Sequence, residues 1–403
     1  MSESYSQSHS VSDRPVPLRY RLAFVFGFVL MVAIMLVYSP QIAQWIAYSW
    51  NIGAERAKAE VARQFLADNP FSDQRIVIVA KAVAPSVVGI HVITGRVPEE
   101  FAPRRGSRRG LSMLVSELGS GVIIDAQEGY ILTNYHVIEN AQIILVQLSD
   151  GREFEAEIIG SDRAVDLAVL KIDAEDIVAV LWGDSRQVSV GEQVVAIGSP
   201  YGLHQTVTAG IISATERYSA TLMARETRRG GRPIPQNYLQ TDAAINFGNS
   251  GGPLVDMNGK LIGICTKIVA GEQGGNSGIG FAIPSFTAER IYEEIISFGE
   301  VKHGWLGIEM GNVTQYEARQ MERNKSTGVV VRGFVEGNSP ARDAGLQSGD
   351  VILRWGETEV ADSLHLSHLT VLSKPGSKVE VEVFRKGELL TREITIGTRP
   401  TNL

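Results

Sequence analysis

The chain has 403 residues, enough for two or three domains, with 44% hydrophobic and only 7% aromatic residues. Its formal net charge of −7 argues against wholesale nucleic-acid binding. The single cysteine, Cys265, excludes an internal disulfide, and its place in the apolar run Leu261 to Ile268 reads as a small buried hydrophobe.

Residues 1–18 are polar and Ser-rich, a composition that cannot offset the entropy of ordering. Leu22 to Tyr38 is then an apolar run without a charge or a polar face. As a helix it would reach about 25 Å, near the lower limit for crossing a bilayer. Arg14, Arg19 and Arg21 precede it, so the positive-inside rule predicts a cytoplasmic tail over 1–21 and a transmembrane anchor over 22–38. A cleaved signal peptide is the rival reading. The segment Ser39 to Trp45 carries no clear small-x-small site, and Trp45, Tyr48 and Trp50 suit a membrane interface. Residues 39–75 read as a stalk and N-terminal segment, with a charged helix over 51–68.

Short strands follow at Val87–Thr94, Gly121–Asp125, Ile143–Leu148, Glu155–Ile159, Leu167–Ile172, Gln193–Ile197 and Thr206–Ala214, separated by turn signals such as Asp150-Gly151. This spacing predicts a mainly β sandwich or barrel. Two long loops interrupt it, Gly95 to Ser116 and Arg217 to Gln236, both rich in arginine. Ser285 to Phe298 reads as a helix, opened by Pro284 and Ser285 and stopped by Gly299. Residues 301–399 form a second unit, with a helix over Asp362 to Leu372. His365 and His368 lie one helical turn apart but lack an acidic partner at matching spacing, so they read as surface residues and not as metal ligands.

The chemistry concentrates in Phe247-Gly248-Asn249-Ser250-Gly251-Gly252-Pro253-Leu254. A serine between glycines sits where the backbone turns sharply, and small neighbours let a substrate carbonyl reach main-chain N–H groups. Serine needs a base and an orienting carboxylate. His136 ends the apolar strand that begins at Tyr130, and Asp166 opens the buried strand Leu167 to Lys171. The predicted catalytic set is therefore His136, Asp166 and Ser250, in the chain order of the chymotrypsin type. The glycine spacing also fits the nucleophile elbow of α/β-hydrolases. That elbow needs a helix after the serine, whereas Asn258-Gly259 between two apolar runs signals a hairpin. A glycine-rich turn or a lone histidine is by itself usually structural; the ordered set of three carries the argument.

Gly119-Ser120-Gly121-Val122-Ile123-Ile124, Thr133-Asn134-Tyr135-His136-Val137, Asp166 to Lys171, Gly248 to Leu254 and Gly278-Ile279-Gly280-Phe281-Ala282-Ile283-Pro284 together resemble the HtrA (Deg) serine protease family. The match runs from about Ile76 to the C-terminus, and Tyr135 departs from the asparagine common before the histidine. The resemblance implies a chymotrypsin-like protease domain of two six-stranded β-barrels over 76–300, with the triad between them, and a PDZ domain over 301–399. It implies an ATP-independent serine endopeptidase whose oxyanion hole is drawn from Gly248, Asn249 and Ser250 and whose specificity pocket is based on Ala244. Gly304-Trp305-Leu306-Gly307-Ile308, completed by Ser339 to Leu346 and Gly349 to Leu353, resembles the carboxylate-binding loop of a PDZ domain, with Trp305, Leu306, Gly307 and Ile308 taking a peptide C-terminus. Arg217 matches by position an activating arginine of the family's regulatory loop.

One anchor, one protease domain and one PDZ domain is the plan of the family's inner-membrane stress sensors. That implies a periplasmic location, a homotrimer built through N-terminal segments near Phe65 to Phe71, activation by C-terminal peptides of misfolded outer-membrane proteins, and an anti-sigma factor as substrate. No metal, nucleotide or nucleic acid is implied. The alternatives are a general quality-control protease of the same family and a binding module with a dead site.

Overall fold

The computed structural model describes residues 56–66, 74–94, 115–199, 205–218, 236–246, 248–270, 276–323 and 325–400. The anchor predicted at 22–38 lies outside them, as do most of both arginine-rich loops. Among the described residues no helix is long and apolar enough to cross a membrane.

The charged helix predicted over 51–68 is present as α1, residues 56–66. Its buried residues Ala59, Ala62 and Leu66 recur at helical spacing. Ala62 and Leu66 join Val79, Ala82 and Val83 of α2 (Arg75–Val83) in the main core. The helix is therefore packed on the protein, which a free stalk would not be.

The first sheet contains β1 (Val87–Ile93), β2 (Val115–Asp125), β3 (Tyr130–Thr133), β4 (Ile143–Gln147), β5 (Glu153–Glu155), β6 (Glu157–Asp162) and β7 (Leu167–Lys171), in the order β5-β4-β1-β2-β3-β7-β6. The strand predicted at Glu155–Ile159 is the bent pair β5–β6. Ala156 between them still donates its N–H to Ile144 of β4 at 2.9 Å. One kinked segment thus pairs with β4 at one end and β7 at the other, which closes the sheet on itself.

The second sheet contains β8 (Leu181–Trp182), β9 (Gln193–Gly198), β10 (Thr206–Tyr218), β11 (Asn237–Thr241), β12 (Pro253–Asp256), β13 (Lys260–Ala270) and β14 (Asn276–Pro284). Its order is β12-β9-β10-β11-β14-β13-β8, and β12 also pairs with β13. That extra pairing closes a six-stranded barrel and leaves only the two-residue β8 outside it. Val, Ile and Leu at alternate or successive positions fill both barrels; Ile90, Ile123, Ile131, Leu170, Ile197, Ile212 and Leu239 are fully buried.

Helix α3 (Ser285–Phe298) buries Ala288, Ile291 and Ile295 against the main core. It stops at Gly299, whose left-handed backbone (φ 74°) lets its N–H cap the carbonyl of Ile295.

The C-terminal unit is a sheet of β16 (Ile308–Asn312), β17 (Val329–Phe334), β18 (Val351–Trp355), β20 (Lys378–Arg385) and β21 (Glu388–Thr395), in that order, with β19 (Thr358–Glu359) beside β18. β15 (Gly304–Trp305) pairs with β22 (Gly397–Thr398). Helix α4 (Ser363–Leu372) is capped by the Asp362 side chain, which accepts from the N–H of His365 at 2.9 Å. His368 of α4 is buried, which corrects its reading as a surface residue. Asp350 is 1% exposed on its side chain and takes two bonds from Arg385, at 2.6 and 2.7 Å.

Polar contacts join this unit to the barrels. His303 Nε2 lies 2.9 Å from the Asp162 carboxylate, and the Arg290 guanidinium of α3 donates to the carbonyl of Leu372 at the end of α4.

Candidate active site

His136 and Asp166 stand 30 residues apart, and the β3–β7 pairing brings them together. Thr133 at the end of β3 lies opposite Ala168 at the start of β7, so the residues just past one strand end meet those just before the other. His136 sits in a single helical turn, Tyr135–Ile138. Asp166 has a left-handed backbone, φ 62°, a conformation most L-residues avoid but aspartate tolerates. The buried Asn134 side chain holds it there by donating to the Asp166 carbonyl at 3.0 Å.

The Asp166 carboxylate is fully engaged. Oδ1 accepts from the His136 backbone N–H at 3.0 Å. His136 Nδ1 lies 3.0 Å from Oδ1 and 2.9 Å from Oδ2. Oδ2 also accepts from the Thr266 hydroxyl at 2.7 Å. A carboxylate only accepts, so Nδ1 carries the hydrogen and Nε2 presents its lone pair. The aspartate side chain is 8% exposed and the imidazole 36%. The result is an acceptor nitrogen open to the cleft, backed by a buried charge that can stabilise the imidazolium. Such a pair can take a proton from an alcohol.

Ser250 lies in the tight turn that leads into β12. Gly251 (φ 84°) could not be replaced there, because an added Cβ would sit 2.1 Å from the carbonyl oxygen of Ser120. The Ser250 hydroxyl donates to the carbonyl of Thr266 at 3.1 Å, and no hydrogen bond joins it to His136 among the described residues. The hydroxyl must rotate off Thr266 to meet the imidazole.

The turn decides between the grouped oxyanion donors. Asn249 donates its N–H to Asn246 at 3.0 Å, and its buried side chain donates to the Ala244 carbonyl at 3.3 Å. Asn249 is therefore spent within the turn, which corrects its place among the donors. Gly248 (φ 105°) and Ser250 remain. Ala244 is half-buried, and its carbonyl also accepts from Thr208 at 2.8 Å. Next to this site, burial pushes the Cys265 thiol up to about 12. Arg217 is exposed at the register position facing Tyr238 on β10–β11. Phe247, whose carbonyl it was expected to reach, lies outside the described residues.

In the C-terminal unit, the Gly307 carbonyl accepts from Val335 at 3.0 Å and from the Ser339 hydroxyl at 2.8 Å, and that of Leu306 from Ala341 at 3.1 Å. A trans peptide sends its N–H opposite its C=O. The N–H groups of Gly307 and Ile308 therefore point away from these partners. Ile308 begins β16, the edge strand of its sheet, so a loop with outward N–H groups runs directly into an unpaired strand edge. Trp305 donates its indole N–H to Asn338 at 3.3 Å.

Residues 119–264 match the model of a trypsin-like peptidase domain, and residues 304–396 that of a PDZ domain. The periplasmic pH-dependent serine endoprotease DegQ of Escherichia coli (strain K12) is 40% identical over 324 residues, which cover 78% of this chain and 69% of DegQ. The chain belongs to the HtrA family. A DegP-like periplasmic serine endoprotease of Marinomonas sp. is 39% identical over 308 residues, 75% of this HtrA chain and 60% of the relative. The chain thus spans less than two thirds of the length of such DegP-like relatives. The structure of the HtrA-type protease AlgW with a tripeptide superposes with a TM-score of 0.66, at 39% identity, over 81% of this chain and 97% of AlgW.

Two residues of this HtrA site escaped the sequence reading. Thr266, which anchors Asp166, lies in an apolar strand with no local mark of its role. Asn134 lies within a quoted motif, but the left-handed backbone it braces is visible only in three dimensions.

Proposed function

We propose that the chain is a serine endopeptidase in which Ser250 attacks the scissile carbonyl, His136 Nε2 takes and returns the proton, and Asp166 fixes the tautomer and stabilises the imidazolium. The N–H groups of Gly248 and Ser250 receive the oxyanion. The observation that carries this reading is the Thr266–Asp166–His136 chain of hydrogen bonds, buried at one end and open at the other, beside a serine in a glycine turn. Ser250→Ala removes only the nucleophile. The purified variant should keep its thermal midpoint and lose peptide cleavage; activity within tenfold of wild type would overturn the assignment.

The finer reading is a membrane-anchored sensor. Residues 22–38 anchor it in the bacterial inner membrane with the N-terminus cytoplasmic, and residues 76–300 and 301–399 are its periplasmic protease and PDZ domains. Peptide C-termini dock at Trp305, Leu306, Gly307 and Ile308 and extend the edge of β16. AlgW, solved with peptides, supports this by similarity. Peptides from misfolded outer-membrane proteins would shift a homotrimer toward its productive state through Arg217, and an anti-sigma factor would receive the first cut. The match to DegQ keeps a general periplasmic quality-control protease as the alternative. Cleavage of an anti-sigma periplasmic domain with and without C-terminal peptides separates them: stimulation supports the sensor, and equal rates support the alternative.

A further inference from the structure

Ser120 is fully buried on β2, in the first barrel, yet every polar group it has reaches the nucleophile turn, the second barrel or β3. Its hydroxyl donates to the Gly248 carbonyl and accepts from the N–H of Ser199, just past β9, at 2.7 Å. Its backbone N–H donates to the Ser250 carbonyl at 2.9 Å. Its own carbonyl accepts from the Thr133 hydroxyl at 2.8 Å. One hydroxyl thus uses its single hydrogen on the turn and a lone pair on the opposite barrel.

The consequence for the turn follows from peptide planarity. The plane joining Gly248 to Asn249 is held at its carbonyl by Ser120 and at its N–H by Asn246. The plane joining Ser250 to Gly251 is held at its carbonyl by Ser120 and at its N–H by Cys265, at 2.8 Å. The plane between them has its carbonyl, that of Asn249, occupied by the N–H of Gly252 at 2.9 Å. That sends the N–H of Ser250 the other way. Gly248 has no side chain to resist rotation, and its φ of 105° is open to glycine in either sense. Without the Ser120 hydroxyl, the Gly248 carbonyl loses its own donor, and only the bond from the Asn249 N–H to Asn246 still restrains that plane.

We propose that Ser120 is a positioning residue that sets the oxyanion turn from across the barrel interface, holding Gly248 so that its N–H and that of Ser250 converge. This rests on the serine protease reading. The assignment predicts a defect in stabilising the oxyanion and none in the His136–Asp166 pair, which Ser120 does not touch.

The test uses the full chain with a fluorogenic peptide and a peptide aldehyde, whose adduct with the serine mimics the oxyanion. In Ser120→Ala, kcat should fall about tenfold or more, below the full loss of an oxyanion donor because the effect is indirect. KM should stay within twofold, aldehyde affinity should fall in step with kcat, and the midpoint of the pH–rate profile should not move. Ser120→Cys, similar in volume but a weak donor, should fall between, and it carries the same test if the alanine variant fails to fold. A kcat within threefold of wild type in the folded variant would overturn the assignment. So would a loss of kcat with undiminished aldehyde affinity or a displaced pH midpoint. Retained activity in Ser250→Ala would instead sink the protease reading itself.

Discussion

Asp166→Asn tests the proton chain more sharply than deletion of the carboxylate. Asparagine accepts the left-handed backbone that Asp166 adopts at φ 62°, and Asn134 still reaches the backbone carbonyl. The His136 backbone N–H, 3.0 Å from Oδ1, requires an acceptor at that position, so the new amide oxygen must lie there. The NH2 group then occupies the Oδ2 position, 2.9 Å from His136 Nδ1. It can give one hydrogen to Nδ1 and the other to the Thr266 oxygen, which lies 2.7 Å away. The contacts at the Oδ2 position persist with their directions reversed, and a hydrogen on Nδ1 would face the amide N–H, so the imidazole is locked with its proton on Nε2 and has no lone pair for Ser250. The expected loss in kcat is about 10⁴-fold, as for the same change in a trypsin-type triad, or about 5 kcal/mol on the barrier at 1.36 kcal/mol per tenfold. Steady-state peptide cleavage measures the loss, and the thermal midpoint should stay within a few degrees of wild type. Activity within a hundredfold of wild type, in a variant that melts normally, would refute the tautomer argument.

Thr266→Val removes the hydroxyl but keeps the volume and the β-branching, so the barrel should hold; one charge-assisted bond to Asp166 is lost, and kcat should drop about tenfold, read in the same assay. Cleavage should follow small or branched apolar residues because Ala244 brings no charge to the pocket, and mass-spectrometric mapping that found cuts mainly after Lys or Arg would overturn this. Cys265, buried and with its thiol raised to about 12, should resist iodoacetamide at pH 8 in the folded protein and react only on denaturation. Asp350→Ala should destabilise the C-terminal unit by about 2 kcal/mol, because it removes two charge-assisted bonds and leaves the Arg385 guanidinium with only the Gly345 carbonyl. Denaturant unfolding followed by the fluorescence of Trp305 and Trp355 would show the shift.

The sequence by itself determined the class of chemistry. A serine in a glycine turn, a histidine at a strand end and an aspartate opening a buried strand are local patterns, and each was legible because short-range sterics and periodicity confine where such residues can sit. The same holds for the strands and for α3 with its Gly299 stop, whereas the loop that precedes β16 was legible only through its resemblance to a PDZ domain. Tertiary structure decided everything that depends on residues distant in the chain. The kink at Ala156 closes the first barrel because one segment must pair with two strands, which no local propensity encodes. Thr266 meets Asp166 across 100 residues, and Ser120 meets Gly248 across 128, only because the two barrels dock. The sequence places Asn249 with Gly248 and Ser250 as an oxyanion donor, but the folded turn consumes its N–H on Asn246, since a planar peptide anchored at its carbonyl has one direction left for the hydrogen. His368 is buried because the buried residues of α4 lie on more than one side of the helix, which spacing alone could not reveal.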